Sequence, residues 1–267
     1  MLVVMVVIMV LIALLLPAIQ ATRENARRTS CVAHLHQIGL ALENYRHAHS
    51  VLPPGTVNPT GPIQTLSSGY HYSWMVQILP FVDVTNVFNH FDSSVGVYDP
   101  LNEKPATQRI DVYLCPSMPI GGASTSYAGC HHDREAPIDV DNDGVLFLNS
   151  SIKLEDITDG ASHTIFIGEA GSMMFGWASG TSDTLRNVGS SLGGGYNPYA
   201  SLRDRGDNST KKPGSASTVV GSFQMVHVGG TLFGFGDGTV RLVSETVDNK
   251  IFRRLANRHD GEFTGRF

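Results

Sequence analysis

Three groups of residues in this chain have types and spacings that could do chemistry. Asp139-Val140-Asp141-Asn142-Asp143-Gly144 has the Asp-x-Asp-x-Asp-Gly spacing of the first half of a calcium loop. In such a loop alternating carboxylates turn in on a hard cation and glycine allows the sharp bend. The twelfth position is Ser150, not the bidentate glutamate of an EF-hand, so the ligand set is incomplete. The competing reading is a solvated acidic turn leading into Val145. His131-His132-Asp133 and His227 raise the question of a metal or a hydrolase. Adjacent histidines on a strand point to opposite faces and cannot share an ion without a turn. The chain also lacks His-Glu-x-x-His and Gly-x-Ser-x-Gly. No catalysis is therefore expected, and no cofactor beyond calcium on Asp139, Asp141 and Asp143. The three cysteines, Cys31, Cys115 and Cys130, are too widely spread for a paired zinc pattern. In an oxidising compartment two could pair. Cys31 with Cys115 would clamp the N-terminal segment to the rest, and Cys115 with Cys130 would close a local loop.

The elements that must position these groups begin with an unusual N-terminus. Met1 to Leu16 contains no charged or polar side chain. With Pro17, Ala18 and Ile19 it reaches the roughly 17–20 residues that cross a hydrocarbon core. A cleaved signal peptide fits less well, because nothing basic precedes the run and the small-residue site near Ala18 to Ala21 is poor. Helical periodicity continues beyond it. Val32, Leu35, Ile38, Leu42 and Tyr45 recur every three to four residues and form one apolar stripe. Leu52-Pro53-Pro54-Gly55 then ends the helix. Such a rod would be about 75 Å long at 1.5 Å per residue, with a kink expected at Pro17.

Beyond residue 50 the chain reads as turn-rich and β-rich. A short helix is expected within Asp83–Phe88, and strands at Ile110–Cys115, Ser126–Gly129, Gly144–Phe147 and His163–Glu169. A Gly/Ser-rich stretch, about 176–217, reads as a long surface loop. Gly230–Gly236 and Thr239–Val243 flank Asp237-Gly238, a hairpin signal. Asp248 is placed to cap a last short helix. The 267 residues carry a formal charge of −5 and only 16 % charged residues. Without a basic excess, nucleic acid is not an expected partner.

Taken in order, these segments resemble a bacterial type IV pilin-like family that carries a domain of unknown function and a C-terminal His-x9-Asp-Gly motif. The likeness runs through Ile12–Gln20, Arg23-Glu24, Arg27-Arg28, Cys31, Gln37–Leu42 and Pro53-Pro54-Gly55. It returns at Leu114–Ser117, Ser126–Gly129, Asp143–Val145, Ile157–Gly160 and Gly168-Glu169, and ends on His227, Asp237 and Gly238. In that family a basic leader is removed just before an aromatic residue, and an acidic residue follows shortly. Aligned on Ala13–Pro17, that acidic residue would fall immediately upstream of Met1, so the true start is expected upstream. A basic leader there would also resolve a conflict of charge. Arg23, Arg27 and Arg28 follow the apolar run with none before it, which alone would direct the bulk of the chain to the cytoplasm.

The expected architecture is an α+β fold, with a long membrane and amphipathic helix (1–50) packed through Val32, Leu35, Ile38, Leu42 and Tyr45 on an antiparallel, β-rich exported head (51–267). The resemblance implies a non-enzymatic pilin-like or pseudopilin-like subunit. It would sit in the inner membrane with its head in the periplasm or at the cell surface, and its partners would be other such subunits, met through the N-terminal helix. The resemblance also implies that His227 hydrogen-bonds or packs near the Asp237-Gly238 hairpin. The alternative is a membrane-anchored β-sandwich that binds glycan or calcium.

Overall fold

The computed structural model describes residues 2–118, 120–171, 175–192, 218–262 and 265. Helix α1 runs Leu2–His49 and passes through Pro17. Its two halves meet different surroundings. From Val4 to Ile19 the described large apolar side chains stand in the open, Leu14 at 68 % exposure and Ile19 at 47 %. From Cys31 onward one face is sealed: Cys31, Leu35, Ile38, Ala41 and Leu42 are buried, with Val32 and Tyr45 packed on the same core. The stripe at three- and four-residue spacing is therefore the face that the helix presents to the head. Among the described residues, no helix is long and apolar enough to cross a membrane. The apolar run Met1–Leu16 falls partly outside them: Met1, and the side chains of Leu2, Val3, Val6, Val7, Ile8 and Val10, are not described.

The head is built on a five-stranded sheet. Strands β1 (Thr56–Val57) and β2 (Tyr72–Ser73) form a separate small ladder. Three short helices follow: α2 (Trp74–Gln77), α3 (Thr85–Phe88) and α4 (Pro100–Ala106). The main sheet comprises β3 (Tyr127–His132), β4 (Ile165–Glu169), β5 (Leu185–Asn187), β6 (Gly230–Phe235) and β7 (Val240–Ser244), in the order β5-β3-β4-β6-β7. Helix α5 (Asn249–Ala256) closes the described fold, and the Asp248 carboxylate accepts hydrogen bonds from the Lys250 and Ile251 amides at its start.

The α+β expectation holds, but the sheet is mixed. Strands β3 and β5 are parallel, because the chain crosses over through antiparallel β4 before β5 pairs on the far side of β3. The described strands form this sheet and the β1–β2 ladder, not the two facing sheets of a sandwich.

Local expectations fail where tertiary packing outweighs pattern. Ile110–Cys115 is a 3-10 turn at Asp111–Tyr113, not a strand. Tyr113 is fully buried and its hydroxyl reaches the Met75 carbonyl at 2.8 Å, and the Tyr113 and Leu114 amides bond back to the Ile110 and Asp111 carbonyls, so the backbone turns instead of pairing with a strand. Gly144–Phe147 forms no strand, since the Val145 and Leu146 amides both bond the Cys130 carbonyl. The Gly/Ser-rich stretch is not a surface loop over its first part. Trp177, Leu185, Arg186 and Asn187 are buried, and β5 lies within it. Residues 193–217 of that expected loop lie outside the described residues.

Candidate functional site

The sequence candidates separate into two places. The calcium candidates do not converge. Among the described residues, the carboxylates that share a potential metal-ligand group there are Asp133 and Asp143, with His132; Asp139 and Asp141 do not join them. The physical reason is Asn142, which is buried at the centre of the turn. Its Oδ1 accepts from the Asp139 amide at 2.9 Å and faces His131 Nδ1 at 3.0 Å, while its Nδ2 donates to the Pro137 carbonyl at 3.1 Å. An amide side chain thus organises the bend that a cation would organise in a calcium loop. Asp143 lies 3.7 Å from both His132 and Arg134.

His131 and His132 have equally ordinary employment. Burial pushes the His131 imidazole down to about 3, so it stays neutral and is too weak a base for hydrolysis near neutral pH. Asp133 is opposed by burial, yet hydrogen bonds from His132, Arg134 and Asn257 hold its carboxyl far below the usual range. That is a salt-bridged cluster, which fixes strand β3 to the C-terminal segment through the Asn257 amide at 3.2 Å.

The second place gathers what the first does not. His227 is 3 % exposed and lies between two carboxylates from distant parts of the chain. Its Nδ1 faces Glu24 Oε1 of α1 at 3.1 Å, and its Nε2 faces Glu169 Oε1 at the end of β4 at 3.0 Å. A neutral imidazole donates from only one nitrogen, so the arrangement is satisfied by the doubly protonated ring. Accordingly the hydrogen bond to Glu169, together with the carboxylate charges, raises the His227 pKa despite the opposing effect of burial. Glu24 is also ligated by Ser117 Oγ at 3.1 Å and paired with Arg27 at 2.6 Å. Desolvation works against its ionisation, but bonds from Arg27, His227 and Ser117 leave its pKa lowered overall. Glu169 is fully buried, and its second oxygen accepts the Leu232 amide of β6 at 2.9 Å.

Beside this triad lies the disulfide. Cys31 of α1 is joined to Cys115, 84 residues on, and Cys130 remains a free, buried thiol. The Cys115 sulfur sits 3.7 Å from Glu169 Oε1; in the oxidised form it carries no proton to donate.

The His-x9-Asp-Gly motif now has a geometry. His227 stands before β6 and Asp237-Gly238 forms the turn after it, so the two parts lie at opposite ends of the strand, not side by side as expected. Gly238 has φ +79°, in the region that favours glycine, and Asp237 Oδ1 accepts from the Thr239 amide at 2.9 Å. The Gly238 carbonyl in turn accepts from His36 Nδ1 of α1 at 3.0 Å. Glu24 and His36 are twelve positions apart on α1, about 18 Å at the helical rise. The six residues of β6 span about 20 Å. The nine residues between His227 and Asp237 therefore hold the six of β6 with short turns on either side, and the strand is fastened to the helix near both ends.

Glu24 and Glu169 carried no assigned role in the sequence. Two signals mark them. Glu24 lies seven residues before Cys31 and so falls on the stripe that continues through Leu35 and Ile38, and Glu169 ends the otherwise apolar run Ile165–Gly168.

The charge states set a pH window for this attachment. Because the folded pKa of His227 lies above its unfolded value near 6.5, its contribution is complete below that value and fades as pH rises through the folded pKa. Glu24 is depressed below 4.5, so its contribution is complete above that value and fades as pH falls through the folded pKa. Melting temperature against pH should show a plateau between these limbs. Glu24→Gln should move the alkaline limb to lower pH, because Glu24 is one of the groups that raise His227. An alkaline limb that stays in place in that variant would remove Glu24 from the coupling.

Fold and site together define an α+β protein whose long N-terminal helix is stitched to the head by a disulfide and by a Glu–His–Glu bridge centred on the buried His227. Residues 20–250 match the family model described as "Protein of unknown function (DUF1559)", and the chain belongs to that family. No curated protein and no solved structure matches it.

Proposed function

We propose that this chain is a structural, non-enzymatic subunit of a pilin-like or pseudopilin-like assembly, held in the inner membrane by its N-terminal helix with an exported head. The observation that carries this reading is the division of α1. One half is locked into the head through Cys31, Leu35, Ile38 and Leu42, while the other half leaves Val4, Met5, Met9, Leu11, Ile12, Leu14, Leu15, Leu16 and Ile19 exposed. Exposed apolar surface on this scale seeks either lipid or the same face of another subunit. The Cys31–Cys115 disulfide supports an oxidising compartment for the head.

Membrane fractionation of the full chain tests the anchor. The protein should stay with the membrane pellet after alkaline carbonate extraction, and removal of residues 1–19 should release it to the supernatant. A full chain found in the soluble fraction overturns the anchor. Single cysteines at Leu11 and Leu15 should then give cross-linked ladders between subunits. A monomer alone would leave an anchored protein that does not assemble.

A further inference from the structure

The disulfide and the triad are not merely neighbours. Cys31 Sγ, Cys115 Sγ, a Glu169 oxygen and a His227 nitrogen all lie within 4.8 Å of one another, and all four residues are buried. Two sulfurs, one imidazole and one carboxylate are the donor set of a closed tetrahedral zinc site, with bonds of about 2.0–2.3 Å. We propose that in the dithiol form these four residues are a structural site for a zinc-class divalent cation, and that disulfide and metal are alternative states of one fastening between α1 and the head.

The surroundings are arranged as such a site needs. His227 Nδ1 faces the Glu24 carboxylate, the carboxylate–histidine pairing that fixes the tautomer and leaves Nε2 free to ligate. Glu169 presents Oε1 to the cluster while Oε2 is held by the Leu232 amide, so the ligating oxygen is already aimed. On metal binding the His227–Glu169 hydrogen bond is replaced by one bond from each to the ion. Thiolate and imidazole donors disfavour calcium and magnesium, which take oxygen ligands. With no exposed position, four-coordinate closure is structural rather than catalytic. The ligands also come from separate parts of the chain: Cys31 from α1, Cys115 from the segment after the 3-10 turn, Glu169 from β4 and His227 from before β6. An ion there would join the same parts as the disulfide.

The chemistry balances with a named reductant. A small dithiol attacks the Cys31–Cys115 bond through a mixed disulfide and leaves as its own cyclic disulfide, transferring two electrons and two protons to give both thiols. Binding of the cation then releases those two protons together with the Nε2 proton of the His227 ring, which keeps its Nδ1 proton toward Glu24.

The test uses the full chain, prepared metal-free under reducing conditions and titrated with cobalt(II) as the spectroscopic probe. The expected result is one equivalent bound, with thiolate-to-cobalt charge transfer in the near ultraviolet and the intense visible bands of tetrahedral cobalt. The air-oxidised protein should show neither. Cys130→Ser should leave the spectrum unchanged, Cys31→Ser should abolish the charge transfer of the two-thiolate site, and Glu24→Gln should weaken binding about 10–100-fold. If the reduced chain loses helical circular dichroism without metal, cobalt must restore that signal together with the thiolate band. The proposal is overturned by a reduced chain without a thiolate band, by equal binding to the oxidised chain, or by spectra that Glu169→Gln and His227→Gln both leave unchanged.

Discussion

Replacement of His227 by alanine is expected to destabilise the folded chain by about 3–5 kcal/mol, the usual cost of removing one partner from a buried ion pair. The cause is less the lost bonds than what remains. Glu169 is fully buried, and without the imidazolium its carboxylate keeps, among the described residues, the Leu232 amide as its hydrogen-bond donor. Each kcal/mol lowers the melting temperature by about 2–4 °C in a domain of this size, so the shift should be roughly 6–20 °C by calorimetry. A second substitution separates charge from contact. Glu169→Gln removes the stranded charge but keeps an acceptor for Leu232, so the His227→Ala/Glu169→Gln pair should be no less stable than His227→Ala alone. Two additive losses would show that the sites act independently, and a shift of less than about 1 °C in His227→Ala would remove the bridge as a stabilising element.

This result would also give the His-x9-Asp-Gly motif a physical meaning. The nine residues between its two ends include the six of strand β6, and each end is tied to α1: His227 to Glu24 at 3.1 Å and the Gly238 carbonyl to His36 at 3.0 Å. In this chain the spacing lets helix and strand present matching attachment points about 18–20 Å apart. One residue inserted in β6 would turn its following side chains to the other face of the sheet and displace one tie from its partner.

Much of this is legible in the sequence. The stripe Val32, Leu35, Ile38, Leu42 and Tyr45 names the buried helix face, because burial on one side of a helix writes itself at 3.6-residue spacing. The Asp237-Gly238 turn was legible because a tight hairpin needs a positive φ. What stayed hidden depends on contacts between distant segments. Glu169 looks like a polar end to a strand until His227 and Leu232 close over it. Ile110–Cys115 alternates like a strand but turns back on itself, anchored by the buried Tyr113 hydroxyl on the Met75 carbonyl. The stretch containing β5 is polar in composition yet buried, because Arg186 bonds the Val220 carbonyl at 2.6 Å and the Gly171 carbonyl at 3.2 Å. Buried polar groups are satisfied by tertiary partners, and those leave no periodic trace in the local sequence. The acidic repeat Asp139–Gly144 is the converse case: its spacing suggests an ion, and one buried asparagine does the work of turning the chain.

Conversion of both Cys31 and Cys115 to serine is expected to cost about 4.5 kcal/mol, since the loop-entropy relation for a bridge across 84 residues gives that figure. The loss should not be spread evenly. Without the bridge, α1 still has Leu35, Ile38 and Leu42 in the core and the ties at Glu24 and His36, so the head should keep its sheet. Amide exchange in the helix from Glu24 to Tyr45 should quicken far more than exchange in β3 and β4. The head's own core, including Trp74, Tyr127 and Ile167, does not depend on the cross-link. Because the Cys115 sulfur lies 3.7 Å from Glu169, this loss and that of His227→Ala should couple instead of simply adding. Wild-type protein in reductant and chelator should melt like the double serine variant. Zinc added to that reduced wild type should recover stability, and zinc added to the serine variant should not. Equal exchange in helix and sheet would mean that the bridge acts on the whole fold, and the picture of a separately fastened helix would have to be given up.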